Sequence, residues 1–190
     1  MRAVTTGRAP DDVALVCAEL LAAWAVNDVE ELLTIREDSA ALLARAPRWF
    51  PLPEDLRAHG LTQRHVNAGI VAMDGLIAAA SADGVRSRGQ SVLFQSALLG
   101  FGLHGFGHLA QAAAARRWTT GARTTPTVVI PYWLWASHRL RRRGIDPTAH
   151  ISWPLVVFTP LVMAAIHAGT AAALAAADRI SGRGSRAVRA

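Results

Sequence analysis

The sequence predicts an all-α protein, a polytopic membrane helical bundle of about five transmembrane helices, and three observations carry that prediction. Apolar residues recur at helical spacing in five long segments separated by Pro and Gly. The chain is 52% apolar, with a mean hydropathy of +0.23. Ionisable and amide side chains lie inside apolar stretches, where each ionised group costs roughly 2.5–3.5 kcal/mol at mid-membrane and is therefore buried in the bundle and functional as a rule. Much of the apolarity is alanine, a composition that a soluble helical bundle shares.

The first segment runs from Asp11, an N-cap candidate, to about Thr34. It reaches the ~20 residues needed to cross ~30 Å of hydrocarbon only if the stretch Asn27 to Glu31 is inside. A polar interfacial loop follows over about 36–61, containing a short surface helix and the Pro-fixed turn Arg48-Trp49-Phe50-Pro51-Leu52-Pro53. The second segment starts at Thr62, which has N-cap character, and ends near Ala82 before Asp83-Gly84. The third, about Gln90 to Ala115, carries Gly100, Gly102, Gly105 and Gly107, small residues that let helices approach closely. The fourth, Pro126 to about Arg139, is short and interrupted by Pro131, and the fifth runs from Trp153 to about Ala177 with Pro154 and Pro160 near its start. Residues 1–190 read as one membrane-embedded domain.

The net charge is +6, and all 20 basic residues are Arg, as a GC-rich genome would give. The run Arg139-Leu140-Arg141-Arg142-Arg143 adjoins an apolar segment, where Arg anchors a helix end among lipid headgroups, so the partner it predicts is the bilayer and not nucleic acid. Across five spans the arginines divide too evenly for the positive-inside rule to orient the chain. The polar opening, ending in Asp11-Asp12, is not that of a signal peptide. A single cysteine, Cys17, leaves no disulfide framework and no Cys-based zinc site within one chain.

Trp24, Asn27, Glu30 and Glu31 are spaced by three or four and share one face of a helix. Two neighbouring carboxylates beside an amide repel each other when desolvated, so either one is held as a general acid or a cation neutralises the pair. The competing reading ends the helix early and leaves the acids in water or paired with Arg36. His104 and His108, spaced i, i+4, project from one face of the third segment, with Gln111 a turn further on. That spacing suits two imidazoles on one metal and equally a His pair bonded to carboxylates. Asp74 and His167 stand alone on the second and fifth segments, as core or as substrate-contacting groups. There is no phosphate loop, no nucleophile elbow and no HExxH.

Two blocks of sequence resemble a known family. Asn27-Asp28-Val29-Glu30-Glu31 is similar to the His-x-x-Glu-Glu motif of the HXXEE-domain family, with Asn where that family has His. The second block comprises Gly107-His108-Leu109-Ala110-Gln111, Arg116-Arg117-Trp118-Thr119-Thr120-Gly121, Thr124-Thr125 and Pro131. It resembles the family's helical His, Arg-aromatic-Thr-Pro-Gly turn and Thr-then-Pro span, with Thr120 in place of Pro and His104 in place of a common Asn. The resemblance covers about 11–36 and 100–135 and is weakest over Thr62 to Gly84. It implies a small multi-pass protein of the bacterial cytoplasmic membrane and names no reaction. Loss of His at position 27 weakens a metal site there, which His104 compensates if the two helices face each other.

The function expected is a membrane-embedded enzyme acting on a lipophilic small molecule by acid/base chemistry, with isoprenoid cyclisation or isomerisation as the concrete case. Glu30, Glu31, His108, Asn27 and His104 form its catalytic set, and Trp24, Asp74, Gln111 and His167 contact substrate. Trp24, Trp133 and Trp135 offer ring faces to a developing carbocation, although interfacial anchoring accounts for the last two. No cofactor is favoured; a divalent metal, if present, takes Glu30, Glu31, His104 and His108. The alternatives are a transporter subunit or lipid- or ligand-binding protein without catalysis, and a metal-dependent membrane hydrolase or oxygenase.

Overall fold

The computed structural model describes residues 12–49, 53–157, 168–177 and 179–180, and among them every regular element is helical. In chain order these are α1 (Asp12–Leu43), α2 (Glu54–His59), α3 (Gln63–Arg86), α4 (Val92–Ala115), a π turn (Thr125–Val129), α5 (Ile130–Arg142), α6 (Trp153–Val157) and α7 (Ala168–Ala177). Asp11, Phe50, Pro160 and His167 lie outside the described residues.

Helix α1 does not stop at Thr34. It continues for 32 residues to Leu43, about 48 Å at 1.5 Å per residue, because no Gly or Pro intervenes before Pro47 and Glu37, Ala40, Ala41, Leu42 and Leu43 all favour helix. The stretch expected to be a loop from residue 36 is therefore helical for its first two turns. The chain then folds back: Leu61 N–H donates to Ser39 Oγ at 3.0 Å, and Arg57 donates to the carbonyl of Ala46 at 2.5 Å. Gly60, at φ +72°, packs on the α1 backbone so closely that a Cβ would lie 2.5 Å from Ala40 N.

Helices α3 and α4 begin at side-chain caps. Thr62 accepts the His65 N–H at 3.2 Å and Ser91 accepts the Phe94 N–H at 3.0 Å, each satisfying one amide of an exposed first turn. Helix α4 ends where Arg116 turns left-handed, at φ 53°. Pro131 is accommodated by the π turn before it. Widening that turn lets Ile130 N–H reach Thr125 C=O and relieves the clash that a proline ring makes with the carbonyl four residues back.

Helix α1 packs along α3, and α4 packs against α3, the π turn, α5 and α6. Their shared core contains Val16, Leu20 and Trp24 of α1, Ile77 of α3, Leu98 and Phe101 of α4, and Val129, Tyr132 and Leu140. Buried Tyr132 donates its hydroxyl to the Val16 carbonyl at 2.8 Å. Asp12 and Arg143 form an ion pair between the first turn of α1 and the end of α5. In the turn after α5, the Thr148 hydroxyl and amide hold the Asp146 carboxyl below the usual carboxylate range.

Among the described residues one helix, Gln63–Arg86, is long and apolar enough to cross a membrane, where the sequence predicted about five. The acids of α1, the amides and imidazoles of α4, and the 13-residue length of α5 keep these three from meeting that description by themselves, and residues 158–167 of the expected fifth span, Trp153 to about Ala177, lie outside the described residues.

Two of the α4 glycines have distinct surroundings, and this sets a prediction. A Cβ on Gly102 would lie 2.6 Å from the Trp133 ring, whereas Gly107 has nothing within 4 Å. Gly102→Ala is expected to lose about 1–3 kcal/mol through overpacking, and Gly107→Ala to gain a few tenths to about 1 kcal/mol from helix propensity. Thermal unfolding of the two variants under the same conditions measures the opposite signs.

Candidate functional site

The polar residues of α1 lie on one stripe because Asn27, Glu31, Thr34 and Asp38 are spaced by four, three and four. The stripe faces α4 and the 116–124 loop. Asn27 is 0% exposed and Glu31 7%, so each needs partners within the protein.

Glu31 finds three on a single oxygen. Its Oε1 lies 2.9 Å from His108 Nε2, 3.2 Å from His104 Nε2 and 2.8 Å from the Asn27 amide nitrogen, which donates to it. The two Nε2 atoms are themselves 2.7 Å apart. Protons alone do not satisfy this triangle. If both imidazoles donate to Glu31, two N–H groups collide along the 2.7 Å edge; if one donates to the other, a contact with the carboxylate loses its proton. A cation at the centre satisfies all three edges at once, and Glu31, His104 and His108 form a group that can hold a metal ion.

Glu30, one residue away and therefore rotated by about 100° on the helix, faces the loop. Its Oε2 accepts the Thr124 N–H and hydroxyl, each at 2.7 Å, and its Oε1 accepts the Arg123 N–H at 3.1 Å. The four-residue ligand set expected from sequence thus loses Glu30, whose oxygens are occupied by loop donors. Asn27 Oδ1 lies 3.0 Å from the same Thr124 hydroxyl, so Asn27 links the loop to Glu31.

The rest of α1 fastens this loop further. Asp38 accepts the Thr120 N–H and pairs with Arg117, while the Thr34 and Thr120 hydroxyls meet at 2.8 Å. The fastening matters because Gly121, at φ +69°, lies against the His108 ring: a Cβ there would sit 2.5 Å from both Cε1 and Nε2. Asp38 and Thr34 were not singled out in the sequence, although they continue the stripe that Asn27 and Glu31 begin.

Trp24 is drawn in from the other side. Its indole stacks on His104, with centroids 5.7 Å apart at 20°, and its N–H donates to buried Asp28 at 2.7 Å. Asp28 faces Asp74 across α1 and α3, carboxyl near carboxyl. No N–H or hydroxyl reaches the buried Oδ1 of Asp74. Asp74 thus belongs to this pair and not to the triangle, and Asp28 is a buried acid that spacing alone did not single out. Gln111, half-buried a turn beyond His108, also stands outside the triangle.

An apolar pocket of about 200 Å³ adjoins the triangle at His104. Trp24, Met73, Ile77, Gly100 and Phe101 line it, and His104 belongs to its wall. That volume exceeds the ~150 Å³ that accommodates benzene in an engineered protein cavity. Trp133 packs on Gly102 and Phe106, and Trp135 lies beside Tyr132 and under Arg139. The pocket's indole is therefore Trp24, not the two tryptophans of α5.

The Gly121 contact yields a coupled prediction. Gly121→Ala is expected to destabilise by about 1–2 kcal/mol from left-handed backbone strain, plus the clash with His108. In a His108→Ala background the clash component disappears and only the backbone component remains. A double-mutant cycle on thermal stability reads the difference; equal losses in both backgrounds would show that the ring does not touch Gly121.

No curated protein and no solved structure matches the chain. A family model described as "Protein of unknown function with HXXEE motif" matches residues 19–136. That stretch contains the whole triangle, the Glu30 clasp and the Gly121 contact. Asn27 occupies the position of the motif's His, and its amide touches the same Glu31 oxygen as both imidazoles. By this match over most of its length, the chain belongs to the HXXEE-motif family.

Proposed function

We propose that the protein is a membrane-embedded, metal-dependent enzyme acting on a lipophilic small molecule. The observation that carries the reading is the triangle of Glu31 Oε1, His104 Nε2 and His108 Nε2, with edges of 2.7–3.2 Å, at the end of an apolar pocket. Three N/O donors with room for a further ligand is the composition of catalytic zinc and non-haem iron sites. Asn27 holds Glu31 through its amide, as outer partners of metal ligands do. The metal would supply Lewis acidity at the pocket's end; Trp24 and Phe101 would bind the substrate's hydrocarbon body.

Embedding in the bacterial cytoplasmic membrane as a multi-pass protein is part of the proposal. Besides α3, support comes from outward-facing apolar side chains on three helices: Val26, Val29 and Leu33 of α1, Val71 of α3, and Leu103 and Phe106 of α4. An apolar outer surface around buried polar groups suits lipid. A pocket whose apolar wall ends at the centre favours an enzyme or a ligand-binding protein over a conducting passage.

A metal-free variant of the same reading is favoured by one observation, the two aromatic rings beside His104 in the pocket wall. They suit cation–π stabilisation of a carbocation, with the Glu31/His pair moving the proton. Elemental analysis of detergent-purified protein separates the two. The expected result is near-stoichiometric transition metal that falls at least tenfold in Glu31→Gln and His108→Ala, since loss of even an outer partner of a ligand costs about 10–100-fold; metal-free but folded wild-type protein would sink the metal reading and leave the acid/base one. Fractionation tests embedding: the chain is expected to stay with membranes through a carbonate wash and to need detergent for release.

A further inference from the structure

Ligand spacing distinguishes coordination geometries, because a fixed metal–ligand distance makes each donor–donor separation a chord of a known angle. At about 2.1 Å from the metal, donors of a tetrahedral site stand roughly 3.4 Å apart, and donors on one face of an octahedron roughly 3.0 Å apart. The three separations here are 2.7, 2.9 and 3.2 Å, and at the same metal distance they subtend roughly 80–100°. Every edge is shorter than the tetrahedral chord, and their middle value is close to the octahedral one.

The ligand types agree with the angles. Two imidazoles and one carboxylate, each offering a single atom from one side, form the facial arrangement that leaves the opposite face for exchangeable ligands. His104 and His108, one turn apart on α4, approach Glu31 of α1 across the helix interface. Gly121 adds a second, independent feature. A Cβ there would stand 2.5 Å from His108 Nε2, so glycine keeps the space beside a ligand nitrogen free of a side chain. The pocket reaches the centre at His104, which places an apolar ligand within reach of the metal.

From this geometry we infer that Glu31, His104 and His108 form a facial site for a six-coordinate first-row divalent metal, with adjacent open positions that accept a bidentate oxygen ligand. The inference rests on the metal reading above and goes further by fixing the coordination number and the class of ligand bound. It excludes a closed tetrahedral structural zinc, which needs a fourth protein donor; among the described residues the ligand group holds three.

Cobalt(II) substitution tests it with a readout other than turnover. The full chain, purified in detergent and stripped with a chelator, is loaded with Co(II) and its visible spectrum recorded, then acetohydroxamate is added as a bidentate probe. The expected result is one Co(II) per chain with weak visible bands that shift on adding the hydroxamate, and loss of Co(II) binding in Glu31→Gln. Intense bands, about tenfold stronger as a tetrahedral site gives, would overturn the facial site while leaving a metal site in place. Failure of the hydroxamate to shift the bands would overturn the adjacent open positions. Failure of the folded wild-type chain to bind Co(II) by equilibrium dialysis would overturn this inference together with the metal reading beneath it. His104→Ala, at the pocket wall and more exposed than the other two ligands, serves as the ligand deletion if Glu31→Gln does not fold.

Discussion

Glu31 is enclosed between α1 and α4, and its Oε1 is the point where an amide and two imidazoles meet. A carboxylate in that position is tolerable only because donors or a cation surround it; removed from water without them it would cost several kcal/mol. This requirement dictates how closely the two helices approach and in what rotation. It also explains why α4 carries two imidazoles one turn apart in a mostly apolar helix: a single one would leave the carboxylate half-satisfied on that side.

Around this centre the helices and the 116–124 loop behave as one frame. Helix α1 fastens the loop at Asn27, Glu30, Thr34 and Asp38, along about three turns of its length. The loop in turn presents Gly121 to the ring of His108, so residues outside the triangle still determine where the His108 nitrogen stands. The π turn continues the frame. It begins directly after Thr124 and packs on Gly105 of α4, where a Cβ would come within 2.9 Å of Val129. Irregular helical turns of this kind recur at functional sites because they shift side chains that a regular helix would place elsewhere.

The two adjacent glutamates illustrate the division of labour. Both belong to the motif that defines the family, yet one oxygen of Glu31 faces α4 while Glu30 accepts only from the loop. A motif written as a string treats them alike; a helix separates them by about 100° and gives them different neighbours. Asn27 is also reinterpreted by its surroundings. It stands where the motif has His, and here its amide holds Glu31 and lies beside Thr124, while His104 supplies a second imidazole to the same oxygen.

The sequence by itself determined that the chain is helical and that Asn27 and Glu31 share a face of α1, without setting where α1 ends or extending that face to Thr34 and Asp38. Thr62 as a cap, the end of α4 near Ala115 and the irregularity at Pro131 follow from local rules of capping, glycine and proline geometry, and the i, i+4 relation of His104 to His108 follows from helical repeat alone. What local rules cannot supply is which helix faces which. That Glu31 and not Glu30 meets the imidazoles, that Asp28 comes to face Asp74 across α1 and α3, and that Trp24 and not Trp133 lines the pocket all depend on the rotation of one helix against another. Rotation is set by packing of side chains far apart in sequence, such as Leu20, Leu98 and Leu140, and only the tertiary structure contains it.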